Sequence, residues 1–183
     1  MSKKRKSHLL AEWGKAVLLA VGLALIIRLF LFEPYLVEGS SMDPTLHDGD
    51  RLFVSKSSFM IGDVKRGDIV IIDGDEKDVH YVKRVIGLPG DTVEVKGHKL
   101  KINGKQLQEP YLLSNEKKAE KLGMYLMEDF EPVTVPKHDV FVMGDNRTNS
   151  MDSRNGLGFI SKNRIAGKAE FVFFPFEKIR KTK

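Results

Sequence analysis

The residues best suited to chemistry in this chain fall into four short segments. They are Gly39-Ser40-Ser41-Met42-Asp43-Pro44-Thr45-Leu46, Arg66-Gly67-Asp68-Ile69-Val70, Tyr81-Val82-Lys83-Arg84-Val85-Ile86-Gly87-Leu88-Pro89-Gly90-Asp91, and Gly144-Asp145-Asn146-Arg147-Thr148-Asn149-Ser150-Met151-Asp152-Ser153-Arg154. Nucleophilic catalysis needs an activated side chain, a base and donors for a developing oxyanion. The chain has no cysteine, so the nucleophile is a serine, a threonine or a carboxylate. Thiolate metal sites, disulfides and CxxC redox centres are excluded for the same reason. The histidines, His8, His47, His80, His98 and His138, form no HExxH-type metal motif. Spacing alone leaves a Ser–His–Asp triad open, although no GxSxG elbow supports one.

Lys83 is the more interesting base. It lies in the strand-like run Val79–Ile86, where alternation puts Tyr81, Lys83 and Val85 on one face and Val82, Arg84 and Ile86 on the other. One of the two basic residues is therefore expected to point inward and the other into solvent. Burial disfavours the charged form of a lysine and lowers its pKa, and a neutral amine then serves as general base. The pattern alone favours the plainer reading, an edge-strand lysine with its ammonium in water.

The other segments also have plain readings. Residues 39–45 make an ordinary Asp-Pro turn with Ser and Thr caps. Residues 144–154 make a self-bonded Asn/Asp turn, and Arg147 and Met151 fall where an EF-hand would place oxygen ligands. Asn146-Arg147-Thr148 matches a glycosylation triplet that often occurs by chance. Arg66-Gly67-Asp68 matches an adhesion tripeptide and carries little weight.

These segments must be positioned by the rest of the chain, which reads as β. Arg51–Ser55, Asp68–Ile72, Val79–Ile86, Val140–Met143 and Ala169–Phe174 are short apolar or β-branched runs. Thr92–Lys96, Gly97-His98 and Lys99–Ile102 form a hairpin pattern, and Asn103-Gly104 supplies the next turn. Residues 114–128 suit one helical turn or a loop. Many short strands with turns predict a sandwich or barrel-like, mainly β domain.

The length, 183 residues, suits one domain plus an appendage. The net charge of +5 sits at the ends: residues 1–15 carry +4 (five basic, one acidic) and residues 176–183 carry +3 (four basic, one acidic), leaving −2 for the body. A nucleic-acid binder concentrates basic charge on its folded body, whereas basic ends suit an anionic membrane surface. Basic residues 3–6 precede an uninterrupted apolar run, Ala16–Ile27, which extends past Arg28 to Phe32. That is the short end of a membrane span. Trp13 and Tyr35 flank it as interfacial aromatics do, and Arg28 lies close enough to the outer end to snorkel. The charge order predicts a cytoplasmic N-terminus and an external remainder. A cleaved secretory signal ending near Val37-Glu38-Gly39, or a buried core helix, would also use such a run.

In this order, after one amino-terminal anchor, the four segments resemble the boxes of bacterial type I signal peptidases. The motifs are Ser-Met-x-Pro-Thr-Leu, Lys-Arg-Val-x-Gly-x-Pro-Gly-Asp and Gly-Asp-Asn-Arg-x-Asn-Ser-x-Asp-Ser-Arg. The short chain and compact insert are similar to the Gram-positive form, and the resemblance runs from the anchor to about Phe174. It implies a membrane-bound serine endopeptidase that removes signal peptides from exported preproteins with a Ser/Lys dyad, on an antiparallel β fold. It implies no cofactor and no metal. The implied organisation is a cytoplasmic basic N-terminus (1–14), a transmembrane anchor (15–33) and an extracytoplasmic peptidase domain (34–183) with a small β insert at about 97–137.

Carried over by position, Ser41 is the implied nucleophile and Lys83 its general base. Ser150 corresponds to a hydroxyl that orients the lysine. Asp145, Asp152 and Arg154 correspond to residues that hold the loop by a buried ion pair. Val37, Met42, Leu46, Tyr81 and Val82 resemble the lining of pockets for small substrate residues at −1 and −3. The Ser41 N–H corresponds to one oxyanion donor. Gly39 stands where the Gram-negative type has a serine that supplies a second donor, so that donor is left to another backbone N–H, to the Ser40 hydroxyl or to water. Two other classes remain: a Ser/Lys autoprotease of the repressor-cleaving type, and a non-enzymatic membrane-anchored β binding module. The sequence leaves the oligomeric state open.

Overall fold

The computed structural model describes residues 12–23, 32–56 and 63–182. The basic cluster at residues 3–6, the Arg28 position in the expected anchor and the last residue of the basic tail lie outside the described residues. Residues 12–23 form a helix, α1, along which Trp13, Leu18, Leu19 and Leu23 are exposed. Among the described residues no helix is long and apolar enough to cross a membrane.

The body is antiparallel β. Strands β1 (Phe32–Leu36), β2 (Arg51–Ser55), β3 (Ile69–Asp73), β4 (His80–Gly87), β9 (Asp139–Met143), β10 (Ile160–Ser161), β11 (Ile165–Phe174) and β12 (Arg180–Lys181) share one sheet. Its order is β1-β2-β11-β3-β4-β9-β10, with β12 paired to β11. Strands β5 (Thr92–Lys96), β6 (Lys99–Ile102), β7 (Lys105–Gln106) and β8 (Phe130–Thr134) form a second sheet in the order β7-β6-β5-β8. The insert sheet thus begins at Thr92, and the hairpin read from the 92–102 pattern is present in register, with Val93 opposite Ile102 and Lys96 opposite Lys99.

Alternation explains most of this. Val93 and Val95 of β5, with Leu100 and Ile102 of β6, turn one face into a cluster with Phe141 and Met143. Strand β3, by contrast, is buried at Ile69 through Ile72, as an inner strand covered on both faces must be. Strand β11 starts at Ile165, earlier than its apolar run suggests, because Lys168 and the shift between Ile165 and Gly167 interrupt the pattern. Pro34 hides strand β1 from a sequence reading, and it is tolerated because among the described residues β1 pairs on one side only. Tyr35, read from sequence as an interfacial aromatic, packs in β1 against the core cluster of Val37, Met42 and Leu46. Residues Leu113–Lys121 form a helix, α2. Glu116 lies in its first turn and Lys118 and Lys121 in its last, which suits the helix dipole.

Candidate active site

The segment carrying Ser41 leaves β1, turns and returns to β2. Gly39 takes φ +83°, a conformation that strains any residue with a Cβ. Met42 and Leu46 anchor the turn in the core, at 1% and 0% exposure. Arg180 of β12 braces it from below, donating to the Thr45 carbonyl at 2.9 Å and to buried Asp50 at 2.6 Å. This C-terminal arginine, grouped from sequence with the membrane-facing charges, is therefore part of the folded body.

Lys83 comes from β4. That strand pairs with β3 from His80 to Arg84, but with β9 only from Arg84 onward. Lys83 is the last residue before β9 pairing begins, and its side chain reaches Ser41, with Nζ donating to Oγ at 2.9 Å. It is 3% exposed. Burial pushes the ammonium down from an ordinary 10.5 to about 8, against the charges of Asp152 and Asp145, which favour the protonated form. The edge-strand reading of Lys83 is overturned, and so is the expectation that one basic residue of the pair faces water. Arg84 is also 3% exposed. Its guanidinium donates to both carboxylate oxygens of Asp145, at 2.9 and 2.6 Å, and to the Gly67 carbonyl at 2.9 Å. It also lies 3.9 Å from the centre of the Tyr111 ring, a residue of the insert. A strand covered on both faces can bury both charges when each has a partner.

The loop Gly144–Arg154 closes the site. Asp145 accepts from Thr45 Oγ1 at 2.5 Å as well as from Arg84. Asp152 pairs with Arg154 through two hydrogen bonds of 2.8 Å and accepts from the Gly144 N–H at 3.0 Å. Burial alone would raise the Asp152 carboxyl, but Arg154 and the Gly144 N–H hold it below the usual carboxylate range. Arg147 is tied to Glu109 of the insert at 2.5 and 3.1 Å. The buried ion pair expected across Asp145, Asp152 and Arg154 is thus two pairs, and Arg84 is the member the sequence left out. Nothing local could have revealed it, since its partner lies 61 positions away. Ser150 is buried beside Gly144, with its Oγ lacking a hydrogen-bond partner among the described residues.

A cleft of about 300 Å³ opens beside Ser41 and Lys83. Val37, Met42, Tyr81 and Val82 line it, as do Tyr35, Glu38, Asp78 and His80. Leu46 does not line the cleft and is packed in the core beneath it. The outer edge of β1 and the His80–Lys83 edge of β4 carry no strand partner among the described residues. Arg66-Gly67-Asp68 is a turn with Asp68 buried and Arg66 bound to Asp91, so it presents no adhesion tripeptide. Among the described residues no cluster of histidines and carboxylates is arranged to hold a metal.

The model of the family described as signal peptidase, peptidase S26, matches residues 10–174. The chain is 67% identical over 182 residues to signal peptidase I of Bacillus amyloliquefaciens, covering 100% of this chain and 94% of that protein. It is 64% identical over 180 residues to signal peptidase I T of Bacillus subtilis (strain 168), covering 98% and 93%. The crystal structure of a signal peptidase I from Enterococcus faecalis V583 superposes with a TM-score of 0.53 at 35% identity, covering 58% of this chain and 97% of that one. With a buried amine on a serine hydroxyl and a family match across most of its length, the chain belongs to the signal peptidase I family, peptidase S26.

Proposed function

We propose that this protein cuts signal peptides from exported preproteins with Ser41 as nucleophile and neutral Lys83 as general base. The observation that carries the reading is the 2.9 Å contact between Lys83 Nζ and Ser41 Oγ on a lysine that is almost fully buried. The relatives are named signal peptidase I over nearly the whole chain, which favours precursor cleavage over a self-cleaving regulator or a non-enzymatic module.

The unpaired edges of β1 and β4 suit an extended substrate that adds as a strand, and the cleft walls suit small side chains at −1 and −3. Ser41 Oγ attacks the carbonyl carbon after the −1 residue while its proton passes to Nζ of Lys83. The Ser41 N–H donates to the oxygen that becomes negative. The C–N bond breaks as the lysine returns the proton to the leaving amine, and the mature chain departs. Lys83 then takes a proton from water, whose oxygen attacks the ester. The C–Oγ bond breaks as the lysine returns that proton to Ser41 Oγ, and the signal peptide leaves as its carboxylic acid, which ionises in water. Ser150 Oγ, buried beside this site and making no hydrogen bond among the described residues, is free to orient the lysine.

The apolar stretch between Lys15 and β1 serves as a single membrane anchor, shorter at its outer end than the expected 15–33 because Phe32 and Glu33 pair in β1, with the N-terminus cytoplasmic and the catalytic domain outside. Support comes from the charge order of the sequence and the exposed apolar surface of α1. Ser41 follows Phe32 by nine residues, a tether of at most about 30 Å.

The test is cleavage of a small-x-small precursor by full-length protein in detergent, beside Ser41→Ala and Lys83→Met. Cutting after −1 by wild type alone supports the reading. Equal cutting by Ser41→Ala removes it.

A further inference from the structure

Asn146 lies in the last of the four chemical segments, yet neither the dyad nor its ion pairs use it. Its side-chain Nδ2 donates to the Ser40 carbonyl at 3.0 Å. Its backbone N–H donates to the Ser41 carbonyl, also at 3.0 Å. The Asp43 N–H donates to the Ser40 carbonyl from the other side at 3.1 Å, so that oxygen has both of its acceptor positions filled. Thr148 Oγ1 donates to Asn146 Oδ1 at 3.3 Å, which sets the amide with its nitrogen toward Ser40. Asn149 Nδ2 donates to Ser40 Oγ at 3.0 Å. The loop thus holds the Ser40-Ser41 dipeptide at both carbonyls and at Ser40 Oγ.

The Ser40 carbonyl and the Ser41 N–H belong to the same planar trans peptide, so they point in opposite directions. Fixing the carbonyl fixes the N–H. A donor on the carbonyl also polarises the peptide and strengthens its N–H as a donor. Among the described residues no group accepts a hydrogen bond from that N–H. Gly144 completes the seat, since a Cβ there would collide with the Ser41 carbonyl and with Ser150 Oγ.

We infer that Asn146 is a positioning residue for the oxyanion donor: by binding the Ser40 carbonyl it aims the Ser41 N–H at the developing negative charge. The inference rests on Ser41 being the nucleophile. No hydrogen bond joins Asn146 to Lys83 among the described residues, and the role does not require Asn146 to touch substrate.

The test uses full-length protein in detergent with Asn146→Ala and the isosteric Asn146→Asp, kcat and KM being taken on the high-pH plateau. A peptide aldehyde ending in the −1 residue is the second probe. Its carbonyl takes up Ser41 Oγ–H by addition to form a hemiacetal, with the oxygen where the oxyanion forms. The signal-peptide product of the same sequence is the control ligand. Both variants are expected to lose on the order of tenfold to a hundredfold in kcat, with KM and product binding within about twofold. Aldehyde affinity is expected to fall by the same factor as kcat. Loss of aldehyde and product binding together would mean general loosening of the cleft and would overturn the inference. So would a kcat within about twofold of wild type in Asn146→Asp, whose carboxylate cannot donate to Ser40. Should Asn146→Ala fail to fold, Asn146→Asp decides alone. If Ser41→Ala still cuts, the nucleophile reading fails first; if Ser41→Ala is dead and Asn146→Asp is fully active, only this inference fails.

Discussion

Lys83 Nζ and Ser41 Oγ lie 2.9 Å apart although the residues are 42 positions apart, and the lysine reaches the serine from the last position of β4 before pairing with β9 begins. The sheet supplies the distance and the burial together. An exposed lysine beside a serine would stay fully protonated, whereas the loss of water brings the pKa of this one down to about 8.

The first expectation is a pH profile. With Lys83 titrating at about 8, kcat/KM should rise about tenfold per pH unit below that point and level above it. At pH 7 about a tenth of such a lysine is neutral, several-hundred-fold more than for an unperturbed one. Initial rates on a precursor peptide from pH 6 to 11 would check this. A midpoint near 10 would show that burial does not lower the Lys83 pKa, and a flat profile across the range would remove Lys83 as the base.

The same burial destabilises the fold. The folded value lies below the unfolded one, about 8 against 10.5, so the unfolded chain binds more protons between them. Stability therefore rises with pH across that window, and below 8 the whole cost is present. Lys83→Met should be inactive yet more stable at pH 7, by up to about 3 kcal/mol from the difference in pKa. The gain should fade between pH 8 and 10.5, as denaturant titrations at several pH values would show. A constant gain at all pH values would contradict it.

Asp145 ties Arg84 and Thr45 together and also raises the Lys83 pKa. Asp145→Asn leaves the buried Arg84 guanidinium without its countercharge, which costs about 3–5 kcal/mol. Any activity that survives should show its rising limb at lower pH, because one charge favouring the ammonium is gone. A limb that stays put or moves up would show that Asp145 does not act on the lysine.

Gly144→Ala would drive a methyl group into the Ser41 carbonyl and Ser150 Oγ. Overpacking of this kind costs about 1–3 kcal/mol, but displacing the nucleophile should lower kcat by about a hundredfold or more. A melting curve beside the rate separates the two effects.

Gly39→Ser would restore the side chain found at this place in the Gram-negative type. The position has open space but a φ of +83°, so the variant should lose about 1–2 kcal/mol to strain. Its kcat should not exceed wild type. A clear gain in kcat would show that the hydroxyl reaches the oxyanion despite the backbone.

Much of this was legible beforehand because its cause is local. Period-two alternation placed the β5–β6 hairpin, since one buried face is enough to leave that mark, and short apolar or β-branched runs placed β2, β3, β4 and β9. Ser41 and Lys83 stood out through the motifs around them. Strand β1 was not legible, because its Pro34 and polar residues suit only an edge, and edges are defined by what does not pair. Leu46 reads from sequence as pocket lining but packs in the core, because an apolar residue near a nucleophile fits a core or a cleft equally well.

The amino-acid sequence by itself determined the chemical inventory: a serine, a lysine, no thiol, a basic apolar start and a chain of short strands. Those follow from residue type and from periods of two or more, which are carried within a few positions. Tertiary structure alone decided that Lys83 and Arg84 are both buried, that Arg84 pairs with Asp145, and that Asn146 holds the peptide of the nucleophile. Alternation sorts side chains to two faces but cannot say whether each face is wet, and that depends on which distant loop packs there.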